Sequence, residues 1–273
     1  MAYKAYENIK IENENGVTWL YINRPEKRNA MSPGVHYDMG DALTFLATDK
    51  DTKVLVLTGA GEAFCAGQDL KAYFRENDNN PAERRRAGIA SHHWRWELLS
   101  AFPKPTIAMV NGFCFGGAFT QLCACDFAIA DEEATFGLSE VNWGIIPGGI
   151  VSWNVVQMLA PRHAMYYAAT GKTFNGKRAE EIGLINSAVP KARLRAEVIE
   201  LADGLMKLNP NVVRYTKDAI RAVKGMDVNV ARDYLAVKQD SLARMDQEIG
   251  GRVGMNKFLD SKEYRPGLGP YQR

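Results

Sequence analysis

The chain has 273 residues, 46% of them hydrophobic and 24% charged, which supports a packed core of ordinary size and excludes a disordered or low-complexity chain. Thirty-four basic residues stand against 32 acidic ones, a net charge of +2, so there is no basic surplus with which to track a phosphate backbone. A nucleic-acid partner is not expected.

The first sixteen residues are polar and lack the apolar segment of a secretory leader, so a cytoplasmic protein is expected. Residues 10–12 and 17–22 flank Asn13-Glu14-Asn15-Gly16, whose Asn-Gly step predicts a hairpin. A loop over residues 23–30 leads to Ser32-Pro33, an N-cap followed by proline at the first helical position, which predicts a helix through about Ala47. Residues 54–58 form a short unbroken apolar run, the pattern of a parallel strand buried on both faces. The same pattern recurs at residues 106–110 and 127–130, and the helix-length segments between the runs imply crossover units and an α/β core. Residues 105–130 are the most apolar stretch, but they carry Asn111, Gln121 and Asp126 and are interrupted by Gly112, Gly116 and Gly117. They read as buried core rather than a lipid span of ~20 residues, and no membrane partner is expected. Beyond about Pro190 the strand signal stops, and residues 193–208, 212–223 and 228–259 carry helical spacing. An α/β body over residues 1–190 is therefore expected, followed by a helical section over 191–273 that packs on the body or on a neighbouring subunit.

Cys65, Cys114, Cys123 and Cys125 form no paired CxxC spacing, and three of them fall in one apolar stretch without a histidine. They read as buried free thiols, with neither a metal site nor a disulfide framework.

Three loops are candidates for chemistry: residues 64–70, residues 111–118 and residues 135–148. In open α/β sheets such loops gather beyond the carboxyl ends of strands. The small pairs Ala66-Gly67 and Gly116-Gly117 allow the backbone to approach a ligand and aim its N–H groups at it, and Gly117 would open a helix.

The order AGQDL, NGFCFGGA, ATFGLSEVNWGIIPG, together with Asn23-Arg24-Pro25, resembles the crotonase (enoyl-CoA hydratase/isomerase) superfamily over nearly the whole chain. The passages NRPEKRNAMSP, VLVLTGAGEAF, AGQDLKAYFRE and TGKTFNGKRAEEIGL bring it nearest to the hydroxycinnamoyl-CoA (feruloyl-CoA) hydratase-lyases. The resemblance implies a spiral of ββα units with a helical C-terminal section, assembled as a homotrimer or a dimer of trimers. It places the oxyanion-hole amides on Gln68 and Gly117. Coenzyme A would lie along Lys27, Arg28 and Ala30, on Ala66, Gly67, Gln68, Asp69, Leu70 and Lys71, and on Gly117, Ala118 and Phe119. Glu140 becomes the acid/base, and Thr120 stands where ordinary hydratases keep a further glutamate and hydratase-lyases usually have Ser. Tyr73 would meet the substrate's para-hydroxyl, Trp143 would line the aromatic pocket, and Gly148 would leave room beside it. The family's DYLY reads Asp233-Tyr234-Leu235-Ala236, so one tyrosine expected at the ring is an alanine here.

The implied reaction hydrates a 4-hydroxycinnamoyl-CoA and cleaves the product to an aromatic aldehyde and acetyl-CoA, with no cofactor, since coenzyme A is part of the substrate. At this point the alternatives are an enoyl-CoA isomerase, a hydratase acting on another acyl-CoA, or a binding protein of the same fold. Arg84-Arg85-Arg86 reads as a solvated helix face, and His92-His93 point to different faces and make a poor metal pair. Gly137-Leu138-Ser139-Glu140-Val141 lacks the second glycine of a nucleophile elbow, and Gly59 to Gly61 does not continue as a dinucleotide fingerprint.

Overall fold

The computed structural model describes residues 3–246 and 250–262. Strands β1 (Ile9–Glu14) and β2 (Val17–Ile22) form the expected hairpin. Its two-residue turn has positive φ at both Asn15 and Gly16 (53° and 90°), the conformation that matches strand twist. Helix α1 (Pro33–Thr48) starts as expected, with the Ser32 hydroxyl accepting from the Val35 amide, and it buries Val35, His36, Met39, Leu43 and Leu46 on one face.

After α1, each long strand is followed by a short one. Strand β3 (Val54–Gly59) precedes β4 (Ala63–Cys65) and helix α2 (Pro81–His92); β5 (Thr106–Val110) precedes β6 (Phe113–Phe115) and helix α3 (Ala118–Ala124). Strand β7 (Phe127–Asp131) precedes β8 (Thr135–Gly137), and then come α4 (Val151–Met158), α5 (Pro161–Thr170), β9 (Thr173–Asn175), α6 (Gly176–Glu181) and β10 (Ser187–Val189). The long strands, with the three-residue β10 at one edge, build a six-stranded sheet in the order β1-β2-β3-β5-β7-β10, parallel except for the hairpin. The short ones build a second sheet in the order β4-β6-β8-β9, parallel except at β8–β9. This is the expected ββα spiral. Residues of β3 and β5 are buried throughout, as their unbroken apolar runs require.

The compact unit holding these sheets runs to Phe102 and includes Thr106–Ile199. Its core joins α1 to both sheets through Leu20, Met39, Leu57, Phe64, Phe119 and Phe136. All four cysteines are buried. Burial pushes the Cys65 thiol up to about 11 and that of Cys114 well above the ordinary value. A second unit comprises Pro103–Pro105 and the chain from Glu200 onward, the division falling inside α7 (Lys191–Met206). In it α8 (Pro210–Val223) and α9 (Val228–Met245) are joined by Tyr215–Ser241 (2.9 Å) and Asp218–Lys238 (3.1 Å). The helix expected over 228–259 is two helices, because α9 stops at Met245 and α10 spans Gly250–Leu259. No helix of the described residues is long and apolar enough to cross a membrane.

Candidate active site

The three loops are carried by the short strands, not directly by the long ones. Strands β4, β6 and β8 lie side by side and parallel, with Cys65 opposite Cys114 and Phe115 opposite Gly137. Their carboxyl ends therefore deliver residues 66–68, 116–117 and 138–140 to one place. Gly67 and Gly116 have φ of +91° and +51°, left-handed values that favour glycine. A Cβ added at Gly67 would stand 2.9 Å from the Phe115 carbonyl oxygen and 3.6 Å from the Gly117 nitrogen. One added at Gly117 would stand 3.5 Å from Cγ of Gln68, and one at Gly116 would stand 3.1 Å from Oε1 of Glu140. Gln68, Gly117 and Glu140 thus meet, with Thr120 one turn into α3.

Met31 bridges Gln68 in parallel: the Met31 amide donates to the Gly67 carbonyl (2.8 Å), and the Asp69 amide donates to the Met31 carbonyl (2.9 Å). In that pattern the Gln68 N–H points away from Met31. Neither the Gln68 nor the Gly117 N–H has an acceptor among the described residues. Two neighbouring amides without acceptors are the kind of donor set that a developing oxyanion needs. Beside them, Oε2 of Glu140 and Oγ1 of Thr120 are buried and have no hydrogen-bond partner among the described residues. Burial raises the Glu140 carboxyl above its ordinary value.

The other expected residues are placed as follows. The Arg28 carbonyl accepts from the Ala66 amide (3.0 Å), and Arg24 binds the Ala30 carbonyl and the Asp69 carboxylate, so the 28–31 strip runs beside the 66–69 loop. Lys27, Leu70 and Lys71 are exposed; Lys71 faces Glu76. Ala118 and Phe119 turn their side chains into the core, with Phe119 edge-on to Phe136, so only their backbone is available to a ligand. Tyr73 packs edge-on against His36 at 5.4 Å. Trp143 follows Glu140 on a single 3-10 turn and is 64% exposed, and Gly148 lies in the open stretch beyond it, so neither joins the buried cluster. Ala236 lies on α9, in the second unit. Among the described residues no three His, Cys, Asp or Glu side chains gather as a metal site would need.

A buried polar chain behind the amides is absent from the sequence reading. The Trp94 indole donates to Nδ1 of His36 (2.8 Å), which leaves the proton on Nε2 to donate to Oε1 of Gln68 (2.9 Å). Nε2 of Gln68 then donates to the Ser91 hydroxyl (3.1 Å). Arg95 donates from Nη2 to the same hydroxyl (2.7 Å) and from Nη1 to the Gly117 carbonyl (2.8 Å). His36 is fully buried, and burial, with Arg95 nearby, lowers it to about 3, so it is neutral. The one sequence signal for this chain is an arginine set between Trp94 and Trp96 with a serine four residues before it, on one helical face.

The family model for enoyl-CoA hydratase/isomerase matches residues 12–265. The chain is 48% identical over 269 residues to a hydroxycinnamoyl-CoA hydratase-lyase of Pseudomonas fluorescens, covering 98% of each chain. It is 32% identical to a crotonyl-CoA hydratase of Syntrophomonas wolfei, covering 95% of this chain and 97% of that one. The crystal structure of an enoyl-CoA hydratase from Bacillus anthracis superposes with a TM-score of 0.85 at 27% identity, covering 98% of both chains. With the family's loops brought together by the family's fold, the chain belongs to the enoyl-CoA hydratase/isomerase family.

Proposed function

We propose that the protein is a hydratase-lyase acting on 4-hydroxycinnamoyl-CoA thioesters such as feruloyl-CoA and p-coumaroyl-CoA, releasing vanillin or 4-hydroxybenzaldehyde and acetyl-CoA. The observation that carries the reading is a single desolvated carboxyl, Glu140, set against Gly116 beside two free amides, with a hydroxyl at Thr120 in place of a further acid. The extent of identity to the Pseudomonas fluorescens enzyme supports the substrate class.

In this mechanism the thioester oxygen sits between the Gln68 and Gly117 amides. Glu140 takes a proton from water as the water oxygen bonds to the β-carbon, and the electron pair of the double bond moves into the enolate held by the amides. Protonated Glu140 then returns the proton to the α-carbon, and Thr120 anchors the water. In the lyase step Glu140 removes the β-hydroxyl proton. The bond between α- and β-carbons breaks, the aldehyde leaves, and the enolate of acetyl-CoA takes the proton back from Glu140. Every proton returns, so no cofactor is required. Coenzyme A runs along Lys27, Arg28, Ala30 and the 66–71 loop and past the start of α3, with Tyr73, Trp143 and Gly148 toward the ring.

We assign a homotrimer or dimer of trimers, acting in the cytoplasm. Ile146, Trp153, Val156 and Met165 support assembly, because at least half of each side chain's surface stays exposed on the isolated chain. The test is incubation with feruloyl-CoA while following its conjugated absorbance. Vanillin and acetyl-CoA in equal amounts are the expected products; their absence ends the lyase reading, and a shifted double bond makes the protein an isomerase.

A further inference from the structure

Arg95 is 9% exposed, and among the described residues it has no carboxylate partner. Three of its five N–H groups donate, to the Ser91 carbonyl (3.0 Å), the Ser91 hydroxyl and the Gly117 carbonyl. An unpaired guanidinium in the interior is a poor stabilising device, since desolvation works against it and no anion offsets the loss. Burial does lower Arg95, but only to about 10, so it remains a cation at neutral pH. It projects from a π-helical segment, His93–Leu98, a backbone form that recurs at functional sites. The same segment buries Trp94, which fixes the tautomer of His36 and so the direction of the Gln68 side chain.

The Gly117 carbonyl receives both Arg95 and the Thr120 amide (3.2 Å), which fixes the peptide planes at the start of α3. Gln68 is held from the other side by His36 and Ser91. The two residues whose amides are free are therefore tied to each other through Ser91 and Arg95. We propose that Arg95, with Ser91, Gln68 and His36, is a positioning unit that sets the two amides and holds an uncompensated positive charge behind the thioester oxygen. In a water-excluded site such a charge favours the enolate over the neutral thioester. The proposal rests on the oxyanion reading above.

The test compares the unmodified enzyme with Arg95→Gln, Arg95→Lys and Gln68→Leu, using feruloyl-CoA. Arg95→Gln keeps an amide donor and removes the charge; turnover is expected to fall about 10- to 100-fold while KM stays within about threefold. In a Glu140→Gln background, which binds without turnover, the absorbance band of bound feruloyl-CoA shifts to the red as its carbonyl is polarised. That shift shrinks with Arg95→Gln and is largely restored with Arg95→Lys. A folded Arg95→Gln enzyme with turnover within about twofold and an unchanged band overturns the proposal. If Arg95→Gln does not fold, Gln68→Leu decides, because it keeps both amides and cuts the ties to His36 and Ser91; unchanged turnover and band there overturn it. If the unmodified enzyme neither converts nor polarises feruloyl-CoA but polarises another enoyl-CoA, the substrate reading fails, and the same comparison on that thioester still tests the positioning unit.

Discussion

Gln68 and Gly117 reach the site from loops braced on several sides, whereas Glu140 reaches it from one short turn. On the amide side, Asn29 donates to the carbonyls of Ala60 and Ala63, Arg24 pairs with Asp69 at 3.0 Å, and Asp69 caps Lys71 and Ala72. On the acid side, Glu140 opens a four-residue 3-10 turn closed by the Ile145 amide on the Glu140 carbonyl (3.2 Å), and it is followed by exposed Val141, Trp143, Ile145 and Ile146. The difference matches the two tasks proposed for these groups. An oxyanion donor works only within a few tenths of an ångström of where charge forms, while an acid/base serving two neighbouring carbons must swing between them.

The strongest way to break that comparison is Glu140→Ala. Turnover of feruloyl-CoA should fall by about 10²–10⁴-fold, with thioester binding by calorimetry nearly unchanged; an enzyme that kept most of its rate would remove Glu140 from its role. Gly67→Ala attacks the braced side. Its Cβ would press on the Phe115 carbonyl at positive φ, so a loss of about 1–3 kcal/mol in stability and about 10²-fold in turnover is expected. Denaturation and assay on one preparation check both.

The titrations of the two sides also differ. His36 sits at about 3 when folded and at its ordinary 6.5 when unfolded, so the unfolded chain takes up a proton between those values and the folded one does not. Stability should fall as pH drops from about 6.5 toward 3, by on the order of a few kcal/mol in all. Urea titrations at pH 7 and pH 5 should show a flatter slope for His36→Asn. Glu140 runs the opposite way: its raised carboxyl favours the protonated fold, so that stabilisation fades as pH climbs through the raised value, and Glu140→Gln should be more stable than the parent at neutral pH. The smallest effect is for Thr120→Ser, which removes a buried methyl and keeps the hydroxyl. About 0.5–1.5 kcal/mol of stability should be lost with turnover retained, and a large rate change would mean that the methyl shapes the pocket.

What could be read before the structure follows the range of each interaction. Asn15-Gly16, Ser32-Pro33 and the long buried strands are local signals, and they appear where the sequence predicts them. The small sheet gave no such signal, because its strands are three residues long, too short for any periodicity to register. Glu140 and the glycine pairs were legible as types in order. His36 and Arg95 were not: His36 finds Gln68 at 32 residues' separation and Trp94 at 58, and Arg95 finds Gly117 at 22. One apolar helix face holding a histidine does not announce its partners.

The interior thiols have a practical consequence. Alkylating reagents attack the thiolate, and Cys65 at about 11 is almost wholly protonated at neutral pH, as is Cys114, with both shielded from solvent. Because Cys65 ends the strand that leads to Gln68, its rate of labelling in the native protein acts as a clock for how often that half of the site opens.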